Sequence, residues 1–239
     1  MALQRSAAGM KMIAGRRVCE TIEELLTPHS TALVVIDLQN DFVGAGGVVD
    51  SRGEGREARL RGLVQNAATA LRRAREIGVT IVFLCYARTC DHRYESSASL
   101  RWTFIKRGYT AGQVSAIEGT WGAEIVAPLG PEDGDLVVQK RRSSGFFGTN
   151  LNETLQTRGI RTVVLAGVST HGCVEATARD AELNDYYVVL LEDCVGAYDD
   201  KLHRAALTVM ASRYEVIDTS ALLDVWSHAK HDARELKGR

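Results

Sequence analysis

One stretch of the 239-residue chain carries the most chemistry: Leu165-Ala166-Gly167-Val168-Ser169-Thr170-His171-Gly172-Cys173-Val174-Glu175, running on to Ala181. A thiol placed where an apolar run gives way to a helical one can serve as a nucleophile. The helix dipole and the free N–H groups of a first turn favour a thiolate there. The same N–H groups can hold an oxyanion. The alternative is a cysteine packed as a small hydrophobe, a common fate of a free thiol. Two other residues suit the first reading, because Asp37 and Lys140 each end an apolar run of their own. A carboxylate can take a thiol proton and hand it to a leaving nitrogen, and an ammonium can hold the charge of both partners. Taken singly, Asp37 reads equally well as a turn cap and Lys140 as a surface lysine.

The elements that must position these groups can be read from periodicity. Thr31–Asp37 and Thr162–Ala166 are continuous, β-branched apolar runs, as in parallel strands covered on both faces. Val79–Tyr86, Asp135–Gln139, Tyr187–Glu192 and Tyr214–Ile217 read as four more strands. Between them, Leu60, Leu63, Val64, Ala67, Leu71, Ala74 and Ile77 recur at helical spacing and stop at Gly78. Asn150 with Glu153 has the form of a capping box, and Asp199 or Asp200 should cap a helix carrying Leu202, Ala205, Ala206, Val209 and Met210. Gln39–Gly47 reads as a loop, and residues 87–119 as a long polar and aromatic loop without a period, a type that is often functional. Strands alternating with helices predict an α/β fold: one three-layer sandwich, a six-stranded, mostly parallel sheet with helices on both faces. Residues 31–230 would form that domain, 1–30 a loose N-terminal extension and 231–239 a tail. In such sheets ligands bind beyond the carboxyl ends of the strands. Asp37, Lys140 and Cys173 all fall at those ends, which weakens the reading of Cys173 as mere packing.

Composition narrows the field. A formal net charge of −1 offers no field for nucleic acid or an anionic membrane. No apolar run approaches membrane-spanning length. Five cysteines without C-x-x-C spacing, and no secretory leader, point to free thiols in the cytoplasm.

The segments Asp37-Leu38-Gln39-Asn40-Asp41-Phe42, Lys140 and Gly167-Val168-Ser169-Thr170 leading to Cys173-Val174 resemble the isochorismatase-like cysteine hydrolases over roughly residues 31–226. The stretch from Lys140 to Thr149, with Arg158-Gly159-Ile160-Arg161, is most similar to ureidoacrylate amidohydrolases. Biuret hydrolases and N-carbamoylsarcosine amidases are related. The resemblance implies Cys173 as nucleophile, Asp37 as base and Lys140 as third member of a triad. It further implies a cis peptide bond at Val168–Ser169, an oxyanion hole from the N–H groups of Ser169 and Cys173, and a homo-oligomer, dimer or tetramer. The expected partner is a small ureido or amide acid, whose amide would be cleaved through a thioester with release of ammonia.

Departures from the family pattern sharpen the expectation. Metal-binding nicotinamidases carry Asp-x-His after the first strand. Here Asp50 is followed by Ser51 and Arg52, and no histidine lies between His29 and His92. No metal or other cofactor is expected; His228 and His231 read as the solvated face of the last helix. True isochorismatases lack the nucleophilic cysteine. Ser143 stands where ureidoacrylate enzymes usually have tyrosine. Asn40, Phe42, Tyr86, Arg88, Trp121, Ser143 and His171 are the expected substrate contacts, with Arg88 as a carboxylate clamp. Amidases for biuret, N-carbamoylsarcosine or maleamate, and a non-hydrolytic thiol or binding protein, remain the competing readings.

Overall fold

The computed structural model describes residues 11–51 and 57–235, with side chains at 51–59, 61 and 228–235 outside the description. The side chains of His228 and His231 therefore lie outside the described residues, as does the end of the proposed tail. The described residues open with an antiparallel hairpin, β1 (Lys11–Ile13) and β2 (Arg16–Val18), then a helical turn, α1 (Ile22–Leu25). Residues 11–30 are thus ordered against the domain, where a loose extension was expected, and residues 1–10 lie outside the described residues. Leu25 and Leu26 are buried, and the Trp226 indole, fully buried, donates to the Leu26 carbonyl at 3.0 Å. Burying a leucine side chain is worth about 2 kcal/mol, enough to hold a short segment down.

The core begins at β3 (Thr31–Ile36), followed by a helical turn, α2 (Asn40–Val43), where a plain loop was expected, and a second turn, α3 (Val48–Ser51). Helix α4 (Glu57–Ile77) ends at Gly78, whose φ of +74° suits a residue without Cβ. It leads to β4 (Thr80–Tyr86). The chain then leaves the sheet for residues 87–119 and returns where Arg88 N–H donates to Ala116 O and Glu118 N–H to Arg88 O. This excursion is not a featureless loop. It contains α5 (Ser97–Leu100), capped by the Ser96 hydroxyl, and a π-helical turn at Arg101–Lys106. Next come β5 (Leu136–Lys140), α6 (Leu151–Thr157), β6 (Thr162–Val168), a second π-helical turn at Thr170–Val174, α7 (Glu175–Leu183) and β7 (Tyr187–Gly196). The described residues close with α8 (Asp200–Ala211), capped by the Asp199 carboxylate, then β8 (Glu215–Ile217) and α9 (Thr219–Glu235). The capping box at Asn150 does not form. Thr149, one residue earlier, accepts the Leu151 N–H at 3.2 Å instead.

The six strands run β5-β4-β3-β6-β7-β8, and every pairing is parallel. Alternate strand residues feed two cores. Leu33, Val35, Ile81, Phe83, Val164 and Ala166 meet α4 and α9 on one face. Val34, Ile36, Val82, Leu84, Val163 and Leu165 meet α6, α7 and α8 on the other. Both faces being dry is why these strands read as unbroken apolar runs. The order reverses between β3 and β6, so the crevice beyond the carboxyl ends of this pair is the topological switch point.

Gly167 fixes how closely β6 approaches β3 there. Its φ is +133°, and a Cβ would stand 2.0 Å from the Ile36 carbonyl oxygen, with the β6–β7 register shifting alongside. Gly167→Ala is expected to destabilise the protein by more than about 3 kcal/mol or to abolish soluble expression. Urea unfolding with a midpoint equal to that of the wild type would show that the strands can move apart at little cost.

Candidate active site

Three strand ends supply three groups. Asp37 follows β3 directly, with φ +53°, a left-handed conformation that non-glycine residues avoid at a cost of order 1–3 kcal/mol. Its N–H donates to Leu84 O at 2.9 Å, and the carboxylate is buried. Lys140, the last residue of β5, has no solvent exposure. Its ammonium donates to Asp37 Oδ2 at 2.9 Å and to the carbonyls of Arg142 and Ser143, each at 3.1 Å. All three N–H donors are used, so the buried charge is both paired and hydrogen-bonded. Cys173 lies in the π-helical turn after β6, ahead of α7 rather than at its first residue. The Val168–Ser169 bond is cis. Thr177 Oγ1 donates to Cys173 O at 2.7 Å and accepts from Gly145 N–H at 3.1 Å, tying the cysteine turn to the loop after β5.

The electrostatics correct one expectation. A thiolate stabilised by the helix start was anticipated, but the Cys173 thiol is pushed up to about 12. Burial is the main cause, the Asp37 carboxylate adds to it, and Lys140 opposes both without offsetting them. The resting group is therefore a thiol facing a carboxylate. Asp37 Oδ1 is buried without a hydrogen-bond partner, so it is free to take the proton as the sulfur attacks. Lys140 keeps its charge: burial opposes it, but Asp37 and then Cys173 outweigh that and raise its pKa. Alkylation of Cys173 by iodoacetamide, followed by peptide-resolved mass spectrometry, is expected to keep rising up to pH 10. Levelling at or below about pH 8.5, the value of a free thiol, would show a resting thiolate instead.

Asp37 and Cys173 open onto a cavity of about 140 Å³. Of the residues singled out in the sequence, Asp37, Phe42, Tyr86, Arg88, Ser143, Ser169, His171 and Cys173 line it. Lys140, buried behind Asp37, does not, and neither do Asn40 and Trp121. Asn40 is buried, its side-chain amide donating to Trp121 O at 2.8 Å, and the Trp121 ring lies half exposed at the surface. The neighbours of Asn40 act in the same way. Gln39 donates to Tyr86 O (2.9 Å) and Ala123 O (2.7 Å) and accepts from Tyr86 N–H, while Asp41 accepts from Val48 N–H and Ala116 N–H. The polar run Gln39-Asn40-Asp41 is thus a bracket that fastens the walls of the cavity. Its partners lie up to 84 residues away, a distance no local reading could bridge.

Arg88 lines the cavity, but its charge is already met. Nε donates to the buried Glu95 at 3.0 Å, Nη1 donates to Ser115 O, and the guanidinium stacks on Tyr86. The clamp expected of Arg88 would have to break this pair, so Arg88 serves as a strut between β4 and the excursion. His171 has its pKa lowered, first by burial and then by the nearby Arg107, and its Nδ1 is buried without a partner. Trp102, at the end of the Tyr86–Trp102 segment expected to wall the pocket, lines the cavity, and so do Thr103, Arg107, Tyr109 and Tyr198, which the sequence did not single out. Among the described residues, no three of His, Cys, Asp and Glu gather as metal ligands, and no helix is long and apolar enough to cross a membrane.

Comparison with known proteins gives concordant results. The Isochorismatase domain family matches residues 31–221. The ureidoacrylate amidohydrolase of Variovorax paradoxus is 39% identical over 178 residues, 70% of this chain and 69% of that protein. That of Acinetobacter baylyi is 31% identical over 222 residues, 87% of this chain and 89% of its own. Among solved structures, an isochorismatase family protein from Desulfovibrio vulgaris superposes with a TM-score of 0.68 at 30% identity, covering 83% of this chain and 98% of the other.

Proposed function

The chain belongs to the isochorismatase family, and from that premise we propose that it is an amidohydrolase of small ureido or amide acids, working through a thioester on Cys173. Membership makes it a hydrolase of non-peptide C–N bonds. The observation that carries the finer reading is the Asp37–Lys140 ion pair, buried against Cys173 at the base of one small cavity. A binding module has no use for a buried charge pair beside a thiol, since such a pair is expensive to desolvate and adds little stability.

The steps follow from the groups present. Asp37 takes the thiol proton as Sγ attacks the carbonyl carbon. The oxyanion is held by the main-chain N–H groups of Ser169 and Cys173. Asp37 then protonates the leaving nitrogen, the C–N bond breaks and ammonia departs, leaving an acyl or carbamoyl thioester. Water attacks that ester with Asp37 as base, the C–S bond breaks and the thiol regains its proton. Lys140 holds its positive charge throughout, so Asp37 can cycle its proton without an unpaired buried carboxylate. Phe42, Tyr86, Ser143 and His171 wall the substrate. Ureidoacrylate-like acids are the favoured substrates, and the assembly is proposed as a homodimer or tetramer.

Ser143 supports a second reading, in which the substrate is another small amide such as N-carbamoylsarcosine, maleamate or biuret. It lines the cavity with a short side chain where ureidoacrylate enzymes usually have tyrosine. The test is ammonia release from ureidoacrylate-like acids, N-carbamoyl amino acids, maleamate, biuret and nicotinamide, with and without a chelator. Turnover of the acids, indifferent to chelation and with nicotinamide untouched, is expected. Silence across the whole panel would overturn the amidohydrolase reading, and preference for maleamate or biuret would select the second one.

A further inference from the structure

The excursion between β4 and β5 puts two groups into the cavity that the steps above leave unused. Thr103 is 2% exposed and lines the cavity, yet its Oγ1 has no hydrogen-bond partner. A buried hydroxyl left unpaired costs about 1–3 kcal/mol, and a helical threonine usually avoids this by bonding back to the carbonyl one turn earlier. The π-helical turn at Arg101–Lys106 leaves Thr103 without that bond. Four residues on, Arg107 closes the turn, its N–H donating to Trp102 O at 3.1 Å.

The Arg107 guanidinium is oriented but not neutralised. It stacks 4.3 Å from the Trp102 ring centroid and 5.5 Å from that of Tyr109, and Nη1 donates to the Tyr109 hydroxyl at 2.6 Å. Among the described residues no carboxylate pairs with it, whereas Arg88 has Glu95 and Arg141 has Glu118. Asp37 is the one acid among the lining residues, and it is committed to Lys140. The cavity therefore keeps one positive charge over, on a side chain held flat by two aromatic rings, beside a hydroxyl that awaits a partner.

We propose that Arg107 and Thr103 bind the carboxylate of the substrate and make the enzyme selective for anionic ureido or amide acids over their neutral counterparts. This rests on the amidohydrolase reading above and assigns the part of the substrate that does not react. A guanidinium offers a carboxylate two parallel N–H donors, and the threonine hydroxyl offers a third. The stacked, partly exposed guanidinium at the cavity mouth loses little hydration or side-chain freedom on binding. Arg107 lines the same cavity as His171 and Cys173, and its field reaches His171. The walls Tyr86, Trp102 and Tyr109 suit a short, flat acid.

The experiment compares maleamate with maleamide, and 3-ureidopropionate with its methyl ester, on the wild type, Arg107→Gln, Arg107→Lys and Thr103→Val. The wild type is expected to favour each acid in kcat/KM by about 10- to 100-fold, the value of charge-assisted hydrogen bonds. Arg107→Gln should bring that ratio close to one, chiefly through KM for the acid. Arg107→Lys should restore part of it, and Thr103→Val should lower it several-fold. A wild type indifferent to charge, or an Arg107→Gln enzyme that keeps the wild-type ratio at a lower overall rate, overturns the proposal. A second measurement does not need turnover: calorimetric binding of maleate to Cys173→Ala with and without Arg107→Gln. At least tenfold weaker binding in the double variant supports the carboxylate site, and equal binding removes it. If no substrate is cleaved but maleate binding depends on Arg107, the amidohydrolase reading fails while the anion site stands.

Discussion

Cys173→Ala is expected to abolish ammonia release, with kcat falling at least about 10⁴-fold, while the protein stays folded. Amides and ureas are poor electrophiles, so without a covalent intermediate only the oxyanion site and substrate positioning remain. That residue of catalysis is small in enzymes that lose their nucleophile. The fold should change little, because the thiol faces the cavity and alanine removes a single atom at the margin of the core. The contacts that hold this turn run through Thr177 Oγ1 to the main chain of Cys173, which alanine keeps. Stability should stay within about 1 kcal/mol of wild type by urea unfolding. Substrate binding should survive, so the variant should hold an acid without turning it over. Turnover within tenfold of wild type would remove Cys173 from the role of nucleophile and return it to the bland reading, a small side chain that happens to sit beside a charge pair.

The site was only partly legible in the sequence, and the division has physical causes. Asp37, Lys140 and Cys173 could be found because a parallel sheet sends its strand ends to one edge: Asp37 and Lys140 each end an apolar run, and Cys173 sits in the turn that follows one. The strands themselves were plain because both faces of the sheet are buried. The excursion at 87–119 was not. Trp102, Thr103 and Arg107 share a wall only because the turn between them is π-helical, and a single such turn leaves no periodic trace. The Glu95 partner of Arg88 was not legible because it comes seven residues later, around a path that only the folded loop defines. The protonation of Cys173 was misjudged for a related reason. The local feature, a helix start, points toward a thiolate. Burial and the neighbouring Asp37, set by chain segments more than a hundred residues apart, point the other way.

Asp37→Asn and Lys140→Met are expected to lower kcat about 10³-fold or more each, with little change in KM. They should differ sharply in stability. In Asp37→Asn the base is gone, and the loss of positioned proton transfer alone is worth about 10²–10⁴ in rate. Lys140 still has the carbonyls of Arg142 and Ser143, and the new amide oxygen can replace Oδ2 as its third acceptor. The structural cost should be modest. In Lys140→Met the side-chain volume is kept, but Asp37 is left buried beside a thioether. Removing one member of a buried pair typically costs about 3–5 kcal/mol, because the other charge is stranded. The same carboxylate would have lost the charge beside which it cycles its proton, which is why activity should fall with stability. The double variant separates the two effects. With neither charge present, much of the stability lost in Lys140→Met should return, while activity stays absent, giving a coupling energy well above the few tenths of a kcal/mol seen for independent sites. Steady-state kinetics and urea unfolding on the four proteins complete the cycle. An effect confined to KM would make the pair a substrate-binding device. Additive stabilities would mean that the 2.9 Å contact between Lys140 and Asp37 contributes nothing that either residue does not supply alone.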